Sequence, residues 1–342
     1  DVYKRQVQSD LTVAPAGDIT LFANNLTVDA ALTANAGSIR LGNVLFQATP
    51  GGMADTTAGP ANAGGGLADD RLTLGARARL DTSGLWANLA LAPGQTAAMP
   101  YLNGGSVSVR SSLDIDLQAG SVIDVSSGAA LRAKGKVTGG KGGNVTVEAV
   151  AAGTAAGGRL VLDAELRGYG VEGGGTLAVT AGKVVLGAKP SDAGDDVLAL
   201  AAPLFQQGFS RYEITGSRGA SVAEDMRIDV SMPVYRPVTG AIGLATGAPA
   251  RAALETWQPP VYLHDPVAGT VTRRRGASLS LQSGRSLSLP GADADAALLV
   301  GRGAQINVDP GQAIQLRGAG QITVLGALTA AGGKIDIRQL RM

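Results

Sequence analysis

The 342-residue chain contains no cysteine and a single histidine, His264. That excludes a disulfide framework, thiolate metal sites, iron–sulfur clusters and a cysteine nucleophile, and leaves little from which to build a zinc site or a catalytic triad. Aromatic residues amount to 4%, so large rings cannot carry the core. Neither sign of charge dominates, because 29 Lys+Arg against 28 Asp+Glu leave a net +1. No broad field exists to draw in nucleic acid or an anionic membrane, and nucleic acid is not an expected partner. No run of about 18 apolar residues occurs, so no transmembrane helix is expected, and the N-terminus lacks the pattern of a signal peptide. No cofactor is expected.

What the chain does have is 50 glycines and 45% hydrophobic residues, mostly small and aliphatic, which is enough apolar surface to fold. A short phrase keeps returning: one or two glycines, one polar or small residue, then apolar, variable, apolar. It occurs as Gly17-Asp18-Ile19-Thr20-Leu21 and Gly37-Ser38-Ile39-Arg40-Leu41, and with paired glycines beginning at Gly104, Gly142, Gly157, Gly174 and Gly332. Related triplets without the glycine pair include Leu26-Thr27-Val28, Leu113 to Leu117, Ile123-Asp124-Val125, Leu279-Ser280-Leu281, Ile306-Asn307-Val308 and Ile322-Thr323-Val324. Period-two alternation marks each as a short strand with one apolar face.

The turn chemistry chooses between antiparallel and parallel stacking. Tight hairpins favour Asn-Gly or Asp-Gly, and the chain has one Asn-Gly, Asn103-Gly104, and no Asp-Gly. A solenoid needs only a bend after each short strand. The expected fold is all-β, a right-handed parallel β-helix with loop-rich excursions outside the helix. At roughly 20 residues per coil it would have about 10 to 13 coils and a length of about 50 to 60 Å. Coils are expected over residues 7–46, 105–189 and 276–342. Residues 47–104 read as a loop-rich excursion with short strands at Leu72 to Leu74 and Ala78 to Leu80. Residues 190–275, rich in aromatics and proline, read as an insertion outside the helix, opening with a short helix near Val197 to Phe205, rejoining the helix through strands at Glu213 to Gly216 and Arg227 to Val230, and looping out from Met232 to Arg275. Residues 1–6 (DVYKRQ) are charged, carry no strand phrase and read as foreign to the pattern. Both ends read as cut, making the chain an interior fragment of a longer protein.

The glycine–strand–turn phrase, together with Ala304 to Gly311 (AQINVDPG) and Ala319 to Val324 (AGQITV), resembles filamentous-haemagglutinin-like exoproteins, the adhesins of two-partner secretion. The segments Gly208 to Gly216 (GFSRYEITG) and Arg227 to Pro237 (RIDVSMPVYRP) look like a block found in a subgroup of them. The resemblance implies a secreted or bacterial cell-surface location, a non-catalytic rod presenting contact loops, and a partner that is a receptor or glycan on a host or neighbouring cell. It also implies an outer-membrane two-partner transporter.

Catalytic alternatives are thin. Asp114 and Asp116 point away from the core about 6.6 Å apart, a spacing compatible with an inverting glycosidase pair, but a solvated strand face is the favoured reading. The paired aspartates Asp69-Asp70 and Asp195-Asp196 lie in irregular chain. A carbohydrate-active β-helix enzyme is therefore the alternative reading, separable from an adhesin by whether carboxylates and basic residues from neighbouring coils converge on one face. Gly139 to Val147 approaches a calcium-binding nonapeptide but has Asn144 and Thr146 where that motif wants aspartate and an apolar residue, so a turn between coils is expected. The candidate contact surface consists of Tyr235, Trp257, Tyr262, His264, Arg273, Arg274 and Arg275. His264 has Asp265 beside it to orient the ring, Trp257 and Tyr262 suit sugar stacking or a satellite core, and the arginine run suits sulfated glycans or a solvated surface.

Overall fold

The computed structural model describes residues 4–49, 52–57, 71–89, 101–132, 135–149, 158–188, 196–284 and 296–340. The candidate pair Asp69-Asp70 lies outside these, as do Asp195 and Gly157.

The fold is all-β and dominated by parallel pairing. One 12-stranded sheet has a central path of nine strands: Asp18–Phe22, Ser38–Gly42, Ser106–Arg110, Asn144–Glu148, Thr176–Leu186, Arg211–Val222, Ser278–Ser283, Ala313–Gly318 and Lys334–Gln339. Two five-stranded sheets flank its first half. From Asp18–Phe22 the chain runs to Asn25–Val28 in the first flank, to Ala31–Thr33 in the second, and back to the long sheet at Ser38–Gly42. The circuit recurs through Arg71–Leu74, Arg79–Asp81 and Ser106–Arg110, then through Asp114–Leu117, Val122–Asp124 and Asn144–Glu148. It recurs again through Leu160–Leu162, Glu165–Arg167 and Thr176–Leu186. In the second half the flank is Arg227–Val230, Gln305–Val308 and Ala327–Thr329.

Register obeys the alternation of the sequence. Ile19, Ile39, Val107, Val145, Leu177, Tyr212, Leu279, Ile314 and Ile335 are successive partners along the long sheet, and Leu41, Val109, Val147, Val179, Ile214, Leu281 and Leu316 form a second column. Apart from Ile335, all of these are buried, in one continuous core. Each buried aliphatic contributes about 1.5–3 kcal/mol, and a slip of one residue would turn a whole strand's set to solvent. Where Tyr212 takes a place in the column the interior holds an aromatic group, with Phe205 at 5.4 Å and Phe209 at 5.9 Å between ring centroids.

The glycine before each strand has a steric cause. Ser38, Ser106 and Asn144 donate their N–H to the carbonyls of Gly17, Gly37 and Gly105 at 3.1, 2.9 and 3.1 Å, so the backbones of successive rungs meet at this corner. A Cβ built on Gly105 would lie 2.0 Å from the Gly37 carbonyl oxygen, and one on Gly143 would lie 1.7 Å from that of Gly105. The nonapeptide-like segment is part of this corner, and Asn144 spends its Oδ1 on the N–H of Thr176 at 2.8 Å.

Several expectations need correction. Residues 71–88, placed in the excursion 47–104, belong to the sheets: Leu72 pairs with Leu26 and Ile115, Leu80 with Leu32 and Ile123, and Trp86–Asn88 with Ala129–Leu131. No glycine directly precedes Arg71, and Gly75 and Gly84 stand at other spacings from Arg79 and Trp86 than the phrase requires, which hides it. What stands aside there is an antiparallel hairpin, Val44–Thr49 with Gly52–Thr57. Residues 4–6 are not foreign to the pattern, since Lys4–Val7 pairs in register with Asn25–Val28. Val197–Leu200 is a strand paired with Lys183 to Leu186, with Leu198 and Leu200 buried by period two, and only Ala202–Gln206 is helical, as a 3-10 turn. Within 190–275 the strand phrases at Glu213 to Gly216 and Arg227 to Val230 do rejoin the sheets, as parts of Arg211–Val222 and Arg227–Val230, and residues 233–275 lie outside them as two antiparallel pairs, Val234–Pro237 with Leu254–Trp257 and Tyr262–Asp265 with Thr270–Arg273. The nine strands of the path, at about 4.8 Å each, span about 38 Å; 38, 32 and 35 residues separate the successive partners Val107, Val145, Leu177 and Tyr212 against the roughly 20 expected, so the described residues give fewer rungs than 10 to 13. Among the described residues, no helix is long and apolar enough to cross a membrane.

Gly143→Ala is expected to lower the urea midpoint, by about 1–3 kcal/mol of overpacking. Gly240→Ala, where an added Cβ meets nothing within 4 Å, should leave it unchanged. Equal midpoints for the two variants would remove the steric account of the corner.

Candidate functional site

The insertion is pinned to the stack by one buried carboxylate. Asp309 accepts through Oδ2 from the N–H of Met232 at 3.0 Å, where the chain leaves the sheets, and from the N–H of Ala277 at 3.1 Å, where it returns. Its Oδ1 accepts from Arg274 Nη2, whose side chain is 13% exposed against 2% for Asp309. Arg274 Nη1 donates to the Pro259 carbonyl at 2.6 Å. Exit, return and tip of the insertion thus share one ion pair.

A second anchor lies on Trp86–Asn88. Trp86 is fully buried among Leu131, Tyr235, Ala250, Ala253 and Leu254. Its Nε1 donates to the Leu244 carbonyl at 3.3 Å, and Asn88 Nδ2 donates to the carbonyls of Ile242 and Leu244 at 2.9 and 2.8 Å. The satellite core expected around Trp257 and Tyr262 is instead built by Trp86.

Between the stack and this roof lies a cavity of about 180 Å³. Its floor is one corner of three successive rungs: Asn35, then Asp81 and Ser83, then Asp124, Ser126 and Ser127. Thr33, Asp81, Asp124 and Arg167 are register partners, which stacks the two carboxylates on neighbouring strands. Each makes the same turn, Asp81 Oδ1 accepting from Ser83 N–H and Asp124 Oδ1 from Ser126 N–H, both at 2.9 Å. Arg167 Nη1 stands 3.8 Å from Asp124 Oδ2. Burial, with the Asp81 charge adding, pushes the Asp124 carboxyl above the usual range against the turn hydrogen bonds. Tyr235, Gly247, Pro249, Ala250 and Arg251 form the roof. Ser126 is 2% exposed, its hydroxyl set between the Asp124 carboxyl and the Tyr235 phenol.

The seven predicted contact residues are not gathered into one surface. Tyr262, His264 and Arg273 are exposed on the outer hairpin, with Tyr262 opposite Arg273. Asp265 does not serve His264 there, because its Oδ1 caps the loop by accepting from Val267 and Ala268 N–H. Trp257 is half-buried with the Arg236 guanidinium 5.3 Å from its ring. Arg275 is exposed and donates to the Glu172 carbonyl. Two residues are corrected. Tyr235 is 8% exposed, packed on Tyr169 at 5.4 Å, its phenol pushed up to about 12 by burial. Arg274 is the buried partner of Asp309, so it cannot be a surface cation. Asp114 pairs with Arg71 at 3.6 Å and accepts from Arg159 N–H, and Asp116 accepts from Gln118, so both serve a half-exposed strand face.

Sequence reasoning misses Asp81, Asp124 and Ser126, although a signal exists: Leu80-Asp81-Thr82-Ser83-Gly84 and Ile123-Asp124-Val125-Ser126-Ser127-Gly128 repeat one phrase. Among the described residues, no cluster of three or more acidic, histidine or cysteine side chains is placed to hold a metal ion. Comparison with family models, with curated proteins and with solved structures returns no match.

Asp309→Ala leaves Arg274 buried without its partner and frees two backbone N–H groups, a loss of about 3–5 kcal/mol. Trypsin cleavage at Arg273 to Arg275 should then accelerate by about 100-fold or more, since cleavage tracks the open population. Unchanged cleavage would show that Asp309 does not hold the insertion down.

Proposed function

We propose that the chain is a segment of a right-handed parallel β-helix in a secreted or cell-surface bacterial adhesin of the filamentous-haemagglutinin-like kind. It is non-catalytic, exported through an outer-membrane two-partner transporter, and binds a receptor or glycan on a host or neighbouring cell. The recurring circuit through the same sheets supports the helix, and the strong bias of parallel crossovers supports right-handedness. The sequence resemblance supports the adhesin class. The observation that carries the binding role is the insertion: a doubly anchored element that projects a hairpin whose Tyr262, Val267 and Val271 are 63%, 96% and 62% exposed. Apolar groups held out on a fixed base mark a contact surface more than a solubility feature.

The convergence of Asp81 and Asp124 from neighbouring rungs favours the carbohydrate-active enzyme as a second reading. Against it, each carboxylate spends one oxygen on its own turn, a structural use that needs no substrate.

Beads coated with the protein should attach to host epithelial or neighbouring bacterial cells. Replacing residues 263–272 by Asn-Gly should reduce attachment about tenfold or more without changing the β-sheet circular dichroism. Failure of the parent to attach to either cell type, or full attachment by the variant, contradicts this role. Pectin and polygalacturonate should yield no new reducing ends, and release abolished by Asp124→Asn would establish the enzyme instead.

A further inference from the structure

We infer that the cavity between the Asp81–Asp124 corner and the roof at Tyr235 and 247–251 is a binding site for one neutral pyranose unit of a glycan. This deepens the adhesin reading and rests on it for biological meaning, though the chemistry stands on the cavity itself.

The cavity's size bounds the ligand. About 180 Å³ lies below the ~300 Å³ at which drug-sized sites begin. That is room for a single ring, not a chain. The lining is polar and its groups are complementary in hydrogen bonding. Asp81 and Asp124 each have an oxygen not used by the turn and are strong acceptors for sugar hydroxyls. Ser83, Ser126 and Tyr235 carry hydroxyls that both donate and accept, Asn35 has an amide, and Arg251 is a donor at the rim.

The charge excludes an anion. Glu165 holds Arg167 at 2.7 Å while Arg167 stands 3.8 Å from Asp124, so with Arg251 in the lining it offsets the two carboxylates only in part, and the n-butylammonium arm of the test separates a neutral ligand from an ammonium. A vicinal diol fits, donating to the carboxylates and accepting from hydroxyl and guanidinium.

Ser126 is part of the same wall and only 2% exposed. It lines the cavity against the Asp124 carboxyl and the Tyr235 hydroxyl. Tyr235 and Ser127 are themselves held in place, the former by Tyr169 and the latter by accepting from Val171 N–H at 3.2 Å. The site is therefore formed before a ligand arrives, which keeps the ordering cost of binding low.

The test is saturation-transfer NMR on the full 342-residue chain with the methyl pyranosides of glucose, galactose, mannose and N-acetylglucosamine, in excess over the protein. At least one should receive transfer from the protein. Ser83→Leu, which fills the cavity from a half-buried position, should abolish it. Asp124→Asn and Asp81→Asn, which keep the turn acceptor, should each reduce it about fivefold or more, with circular dichroism unchanged in all three. Absence of transfer to every pyranoside overturns the inference, as does transfer that survives Ser83→Leu or transfer to n-butylammonium alone. The two readings fail separately: pyranoside transfer without cell attachment leaves the site standing and removes the adhesin, whereas attachment without transfer does the reverse.

Discussion

The structure depends on how closely successive rungs approach at the corner before the long sheet. There the N–H of one rung bonds to the carbonyl of the rung below through positions that exclude a side chain, as at Gly37, Gly105 and Gly143. Contact at that corner sets the vertical register of the rest of the rung. Once Ser106 is bonded to Gly37 and Asn144 to Gly105, Val107 must sit over Ile39 and Val145 over Val107. The aliphatic columns are the consequence of that constraint, and their burial provides most of the energy that keeps it satisfied.

A stack of this kind has a functional property that a compact domain lacks. Chemistry placed at one position of a rung is repeated, in register, on the next. The two aspartate–serine turns illustrate it: the same local hydrogen bond, used twice, brings two carboxylates from residues 81 and 124 to neighbouring strands without any dedicated scaffold. Arg110 and Glu148 use the same geometry for an ion pair at 2.8 Å. The insertion is treated differently. It leaves and re-enters the stack at points joined by a single carboxylate, Asp309, so the chain from 233 to 275 outside the sheets is fixed without disturbing the register of the rungs on either side.

Much of this is legible in the sequence because it is local. Period-two alternation and the glycine that precedes it are written within five or six residues, and each copy among the described residues locates a strand of the sheets. The strands at Arg71–Leu74 and Trp86–Asn88 lack the full glycine phrase, so their membership depends on partners 46 and 43 positions away (26 to 72, 86 to 129), which no short window contains. The candidate site is less legible for the same reason. Tyr235 and Arg274 read as surface residues by type, but an aromatic ring and a guanidinium are also the groups best suited to roof a small core or to pair with a buried carboxylate. Trp86, 149 positions before Tyr235 in the chain, decides the first case, and Asp309 the second. The cavity needs three rungs and the insertion together, and only its repeated Asp-x-Ser phrase is written in any one segment.

The register of the stack is the claim on which the corner, the columns and the cavity all rest, and the absence of native cysteine makes it directly measurable by cross-linking. Ser108 and Thr146 are register partners on neighbouring strands, both facing outward, while Ala178 lies one rung beyond Thr146. Adjacent rungs at about 4.8 Å fall within the Cα separations that a disulfide bridges, about 4.4–6.8 Å, and a gap of two rungs does not. Under mild oxidation, Ser108→Cys with Thr146→Cys should close to an intramolecular disulfide in nearly all molecules, and Ser108→Cys with Ala178→Cys should remain reduced. Closure of the second pair as readily as the first, or of neither, would contradict the in-register parallel stack.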